Sequence, residues 1–465
     1  MLTSKYRELF SFIRLTPFNT STIEGRAKER LRRAGLAAVV SAFSQAVSII
    51  TFLILVPLTL NYLGAERYGV WIAISSLMTV LGFVDLGTGN GLLNSLTESM
   101  GKDDFGAVKI YVASAFYLVL IIALCFGLVW LLVAPRISWA WLFNTITPQT
   151  SAEVAPALSV FVLCVLIGLP FGLVFKIYES YQEGYINGGL RIIGSILGLV
   201  GILVAMRYQA GLPWLVLSMA GSPVLASFFG FMWLILERRP FLLPRIKNFR
   251  KTAFIDIFRS GVLFFILQFT AAIGFQADSL VVSHFLGADQ VPQYAIPMKL
   301  FMYVPALLNF FLVPLWPAYG DAIARGDTSW VVKTFKRSLY LSFGISSVMS
   351  LILVFFGKMI IGFWVPEIQL EWSFLFGLGL WVILLGIAGP LSAFLNGANV
   401  IGFQTVIAVF AVIINIALSI FLVQKIGVSG PIYGSVISWF LFVFLPMTFF
   451  IPRLISSWKS KKILI

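Results

Sequence analysis

Two acids and one base stand inside long apolar runs of this chain: Asp85, Asp278 and Lys299. A charge in the middle of a bilayer costs at least a few kcal/mol unless it is paired or hydrated, so each is a candidate for function. Counted back from the turn near residues 287–293, Asp278 and Lys299 lie about 13 and about 9 Å deep at ~1.5 Å per helical residue. They flank one helical hairpin and are within reach of each other there. Two readings stay open: a structural ion pair, or separate roles with Lys299 on a substrate phosphate and Asp278 on a coupling proton or sodium ion. Asp85 belongs to Val84-Asp85-Leu86-Gly87-Thr88-Gly89-Asn90-Gly91. Its glycines weaken a helix and permit either a local break or close packing. Asp85 and Asn90 are therefore candidates for an inner gate or ion site, against simple helix packing. Neither a preceding strand nor a following Lys-Ser/Thr accompanies these glycines, so a phosphate loop is rejected.

Hydroxyls and amides form a second class. Ser41, Ser44, Gln45 and Ser48 fall at i, i+3, i+4 and i+7 on one face of an apolar helix, and Gln268, Ala272, Gln276, Ser279 and Ser283 make a similar stripe later. Such stripes either line a wet cavity that hydrogen-bonds a polar cargo or hold helices together. Arg32, Arg33, Arg191 and Arg259 cluster at predicted inner ends, where they suit a pyrophosphate or act as orientation anchors. The chain has one His and two Cys. Cys125 and Cys164 read as small core hydrophobes, and no metal site, cofactor site or disulfide framework is expected.

The elements that must position these residues are membrane spans. Of 465 residues, 59% are hydrophobic and 11% charged, against roughly 45–50% and 25% in soluble domains. Twelve apolar blocks are predicted near 35–61, 68–92, 108–133, 155–177, 189–206, 213–236, 258–285, 294–317, 338–363, 373–395, 402–423 and 430–451, each long enough for a hydrocarbon core of roughly 30 Å. With the N-terminus inside, 27 of the 33 Lys and Arg fall in inner segments and five in outer ones. That bias orients both termini inward and makes anionic lipid, not nucleic acid, the expected contact of a net charge of +14. A soluble enzyme, a nucleic-acid-binding domain and a secreted disulfide scaffold are excluded.

The chain also repeats itself. Leu63-Gly64-Ala65-Glu66 recurs as Leu286-Gly287-Ala288-Asp289, Gln45 aligns with Gln268 at the same offset, and Tyr68-Gly69-Val70 meets Tyr294-Ala295-Ile296 after two added residues. The predicted organisation is a basic segment (1–34), a six-helix bundle (35–236), a basic linker (237–257), a second six-helix bundle (258–451) and a basic tail (452–465). The fold class is an all-α polytopic membrane protein whose bundles are related by a pseudo-two-fold axis along the membrane normal, an arrangement suited to alternating access.

Tyr62-Leu63-Gly64-Ala65-Glu66-Arg67-Tyr68-Gly69-Val70-Trp71, the Asp85–Leu92 glycine run, Glu179-Ser180-Tyr181-Gln182-Glu183-Gly184-Tyr185 and Gln276-Ala277-Asp278-Ser279 together resemble the polysaccharide transporter family. These are the Wzx-type O-antigen and oligosaccharide flippases of the multidrug/oligosaccharidyl-lipid/polysaccharide exporter superfamily. The resemblance covers roughly 30–450. It implies a non-enzymatic flippase of the bacterial inner membrane that moves an undecaprenyl-pyrophosphate-linked glycan to the outer leaflet. H+ or Na+ is the implied coupling ion, and polysaccharide polymerase or assembly proteins are possible partners. Relatives often carry arginines in the cavity-lining spans, whereas the first and seventh spans here have none. The alternatives are an ion-coupled multidrug antiporter of the same superfamily and, less favoured, a membrane polysaccharide polymerase or ligase. The last needs a sizeable outer loop with catalytic charges, and the chain offers none.

Overall fold

The structure is a computed structural model; it describes residues 16–81, 84–143, 145–287, 290–365, 368 and 370–461. Ala288 and Asp289 of the repeated motif, the first fifteen residues of the basic segment and the last four of the tail lie outside these.

Among the described residues every regular element is helical. The helices are α1 (Ile23–Leu81), α2 (Thr88–Gly101), α3 (Phe105–Val133), α4 (Pro148–Ser180), α5 (Gly184–Arg207), α6 (Leu212–Trp233), α7 (Lys251–Leu286), α8 (Val291–Leu312), α9 (Leu315–Ala324), α10 (Thr328–Trp364), α11 (Trp372–Gly397), α12 (Ile401–Ile426), α13 (Gly430–Trp439) and α14 (Leu445–Lys461). Ten stretches are long and apolar enough to cross a bilayer. The last of them, Ile401–Trp458, turns at Gly427 (φ 61°) and holds two passes. The part of α1 beyond Gly64 adds another, so the chain is an all-α polytopic membrane protein of twelve passes. Their long exposed apolar faces, such as Leu124, Leu128 and Leu131 on α3, meet lipid tails instead of water. Cys125 is exposed on that same helix, contrary to its reading as a core residue, and Cys164 is buried.

The chain divides into two compact units, Met1–Val262 and Leu263–Ile465. In the first, residues after α6 pack back on their own unit. Arg239 forks onto Glu183 (2.9 and 2.9 Å) and stacks 3.7 Å above the Tyr181 ring. The Arg250 N–H donates to Ser114 Oγ (3.2 Å), and the Tyr117 hydroxyl donates to the Pro244 carbonyl (3.4 Å). Burial pushes the Tyr181 hydroxyl pKa up. These contacts account for Glu179–Tyr185 as a corner that fixes the ends of α4 and α5, with Gln182 in the left-handed region (φ 57°).

The predicted second span ends early. Leu86 (φ 50°) and Gly87 (φ 71°) reverse the chain, and α2 begins at Thr88. Asp85 supplies what the new helix lacks: its carboxylate accepts from the N–H groups of Gly87 (2.9 Å) and Gly89 (3.0 Å). Gly91 needs to be glycine because a Cβ there would come within 2.8 Å of the Ile257 carbonyl. A comparable break falls in the second unit at Val313-Pro314, between α8 and α9.

Left-handed backbone marks the duplication. Gly64 and Gly287 (φ 71° and 104°) sit at one repeat offset, and Asp103 and Gly326 (56° and 77°) share it. Gln182 pairs with Asn399 (57° and 57°) and Gln209 with Gly427 (54° and 61°) at slightly shorter offsets. Corners between helices therefore recur in both units even where the residues do not.

Candidate functional site

The second unit holds a cavity of about 310 Å³ whose wall includes Gln268, Phe275, Asp278, Trp381, Asn415 and Ser435. Asp278 projects from the C-terminal third of α7 and is 2% exposed. Its Oδ1 accepts from the Ser419 hydroxyl of α12 (2.8 Å), and its Oδ2 from the hydroxyls of Ser435 on α13 (2.7 Å) and Tyr294 on α8 (3.0 Å). Asn415 Oδ1 lies 3.2 Å from both serine hydroxyls, and the Pro431 carbonyl lies 3.4 Å from Ser419 Oγ. Four helices thus bring two carboxylate oxygens, one amide oxygen and one carbonyl to two serines and a tyrosine.

Each hydroxyl has one proton to give. The three hydroxyls direct theirs at this cluster and the Asn415 amide carries two more, so the acid is held by neutral donors, with no basic side chain bonded to it among the described residues. The rest of the cavity is mostly apolar and aromatic, with Phe275, Met298, Trp381, Trp439 and Met447 on its wall beside the polar Gln268, Thr270 and Gln404. Trp381 Nε1 is buried there without a hydrogen-bond partner among the described residues.

Lys299 does not pair with Asp278. It is exposed on α8 one turn beyond Tyr294, and no ion pair joins the two among the described residues. Lys299 follows Tyr294 by five positions, about 140° round the helix at ~3.6 residues per turn, so it stands on a different side of α8. Gln268 lines the cavity and donates to the Phe264 carbonyl (3.2 Å), while Gln276 is exposed. On α1, Ser48 bonds Ser195 of α5 (3.1 Å) and the Ser44 carbonyl (3.0 Å). That end of the stripe joins two helices; Gln45 is exposed and Ser41 half-buried. Arg191 and Arg259 are exposed. Arg32 and Arg33 are engaged by Glu29 at 2.6 and 2.8 Å. Asn90 is half-buried in the first turn of α2, beside the Asp85 cap.

Sequence reasoning missed Ser419, Asn415, Ser435 and Tyr294. Tyr294 carried a faint signal as the partner of Tyr68 in the repeat. Ser419 follows Asn415 by four positions, which puts both on one face of α12.

Residues 264–421 match the MatE family model, the stretch that carries Asp278, Asn415 and Ser419. The chain is similar to proteins named for O-antigen export and transport. It is 26% identical over 305 residues to a Yersinia pseudotuberculosis protein named for O-antigen export, covering 65% of this chain and 68% of that one. It is 22% identical over 407 residues to a Salmonella typhimurium protein named for O-antigen transport, covering 84% and 90%. Its fold is that of solved MATE structures. An outward-facing multidrug resistance MATE family transporter of the MOP superfamily superposes with a TM-score of 0.76 at 15% identity, over 94% of this chain and 97% of that one. A MOP superfamily transporter from Pyrococcus furiosus gives 0.77 at 15%, over 93% and 97%. The chain is a multi-pass membrane protein with the fold of solved MATE transporters, and Asp278, Tyr294, Asn415 and Ser419 of its buried cluster lie within the MatE match, with Ser435 beyond it.

Proposed function

We propose that the protein is a flippase that carries a polyprenyl-pyrophosphate-linked oligosaccharide, an O-antigen, capsule or exopolysaccharide repeat unit, from the inner to the outer leaflet of a bacterial inner membrane. Both termini face the cytoplasm, as the Lys and Arg distribution favours. A glycan cannot cross hydrocarbon unaided, because each hydroxyl stripped of water costs roughly 2–7 kcal/mol. The similarity to proteins named for O-antigen export supports this cargo. The half-buried Ser41 and the exposed Gln45, Gln276, Arg191, Arg259 and Lys299 are the candidates for contact with sugar and pyrophosphate. Anionic lipids and a polysaccharide polymerase or other assembly proteins are proposed partners.

Coupling is assigned to Asp278. The observation that carries it is a buried carboxylate held by hydroxyls, with no basic residue paired to it among the described residues. Binding of H+ or Na+ there would favour one conformation of the second unit over another, and a transmembrane gradient would then drive the cycle.

A second reading has one observation in its favour. A mostly apolar, aromatic cavity with a single acid suits an organic cation, and one superposed transporter is described as a multidrug resistance protein. Deletion in the parent organism separates the two. Accumulation of a lipid-linked oligosaccharide on the inner leaflet, with unchanged sensitivity to cationic drugs, is the expected result. Increased drug sensitivity with no accumulated glycan lipid would overturn the flippase reading.

A further inference from the structure

A second cavity, about 510 Å³, opens at the C-terminal end of α7, the end opposite the basic linker, and is lined by Gln290, Gln293, Glu371, Phe374, Val428 and Ser429 among others. It is the polar counterpart of the Asp278 chamber, and two connections join it to the carboxylate. The first runs through α8 and α11. Phe374, on the cavity wall, packs its ring 5.5 Å from that of Tyr294, and the Tyr294 hydroxyl donates to Asp278 Oδ2. The second is the turn between α12 and α13. Gly427, Val428 and Ser429 line the cavity, while Pro431, two residues on, accepts from the serine that bonds Asp278.

The geometry points to this cavity as the entry vestibule for the cation that Asp278 takes, with Glu371 drawing the cation in and the Tyr294–Phe374 pair as the gate. The inference rests on the coupling role given to Asp278 above. Glu371 is the charged residue on the described wall. Its carboxylate accepts from Ser373 (3.1 Å), and Ser373 bonds Ser429 (3.1 Å), so the acid is held on the rim. The nearby bases do not line the cavity: Lys358 lies 4.5 Å over the Trp372 ring, and Lys425 is in the last turn of α12. A carboxylate at a polar mouth raises local cation concentration and speeds entry, an effect that salt screens. Tyr294 is 1% exposed, so a cation reaches Asp278 from this side only when that ring yields.

Stopped-flow tryptophan fluorescence of the purified full-length protein in detergent tests this, since Trp381 and Trp439 line the Asp278 chamber. The probes are NaCl against choline chloride, and a pH step in sodium-free buffer, which separate sodium from proton. Glu371→Gln is expected to slow the cation-driven change by about threefold at low ionic strength, with unchanged amplitude at saturation. The difference should close in about 0.5 M choline chloride, where the Debye length is only a few ångströms. Phe374→Ala is expected to speed both binding and release. A Glu371→Gln rate equal to wild type at low ionic strength, with the response still lost in Asp278→Asn, overturns the vestibule alone. A cation response that survives in Asp278→Asn, or none in the wild type, overturns the coupling role itself.

Discussion

Asp278 illustrates how a membrane protein keeps an acid inside hydrocarbon without a base beside it. Three hydroxyls replace water around the carboxylate, and hydrogen bonds to a charged group are worth about 1.5–3 kcal/mol each. Ser435→Ala removes the shortest of them, so apparent affinity for the coupling cation should shift about tenfold, the equivalent of ~1.4 kcal/mol, as read from the cation dependence of export: downward for Na+, which loses an oxygen ligand, and upward for H+, because a hydroxyl donating to the ionised carboxylate opposes its protonation. Asp278→Asn should abolish gradient-dependent export while the protein remains in the membrane at normal abundance. Lys299 gives a contrasting expectation. Because it makes no pair with Asp278, exchanging the two residues should not rescue Asp278→Lys, and recovery of export in the exchanged variant would restore the ion-pair reading. Asp278 was legible in the sequence because a lone acid in an apolar run stands out. Its serines were not, since a hydroxyl within a membrane helix carries no pattern and only the packing of α7, α8, α12 and α13 brings them together.

The glycine run shows the same division for a whole element. A helix weakened around residue 85 was readable from composition, but a helical period carries straight through Asp85–Leu92 and hides where the break falls. What decides it is a local competition. The Asp85 carboxylate satisfies two backbone N–H groups that a continuous helix would have used itself, and Gly87 accepts a φ of 71° that other residues resist. Asp85→Ala should therefore cost about 1 kcal/mol through loss of the cap, lowering the thermal midpoint of the purified protein, and Asp85→Asn should recover much of it. Gly91→Leu should do more damage. A side chain there meets the Ile257 carbonyl at 2.8 Å and the Gly261 amide nitrogen at 3.2 Å, both backbone atoms that cannot rotate away. A thermal midpoint unchanged by Gly91→Leu would show that α2 and the start of α7 separate without loss. A similar capping logic serves the motif beside the Gly64 break within α1. Glu66 accepts from the N–H groups of Ile146 and Thr147, and hydrogen bonds from Thr147 and Ile146 hold its carboxyl below the usual range.

For the whole chain, the repeat is close at its corners and unequal at its centre. Left-handed residues recur at four corners, and so does a proline in the first turn of a late helix of each half, Pro213 in α6 and Pro431 in α13. Carrying those offsets inward, Asp278 corresponds to Leu55, Asn415 to Gly198, Ser419 to Ile202 and Ser435 to Leu217. Leu55 and Ile202 belong to a buried apolar cluster of the first unit. One duplicated scaffold therefore holds an oxygen-lined acid in one copy and a hydrocarbon core in the other. The corner repeats were partly visible as Leu-Gly-Ala-Glu and its echo; the asymmetry was not, because only the fold assigns Asp278 an equivalent. If the cation site is a property of its surrounding hydroxyls and not of its depth, it cannot be moved by moving the acid alone. Leu55→Asp should therefore lower the amount of protein inserted, since an unpartnered acid near a helix centre costs about 2.5–3.5 kcal/mol on insertion scales. Combined with Asp278→Asn it should not restore export. Adding Gly198→Asn, Ile202→Ser and Leu217→Ser rebuilds the polar set around Leu55→Asp, and the partial return of membrane abundance in that variant, read by quantitative immunoblot, would show that these side chains, more than the helix they stand on, make the acid tolerable.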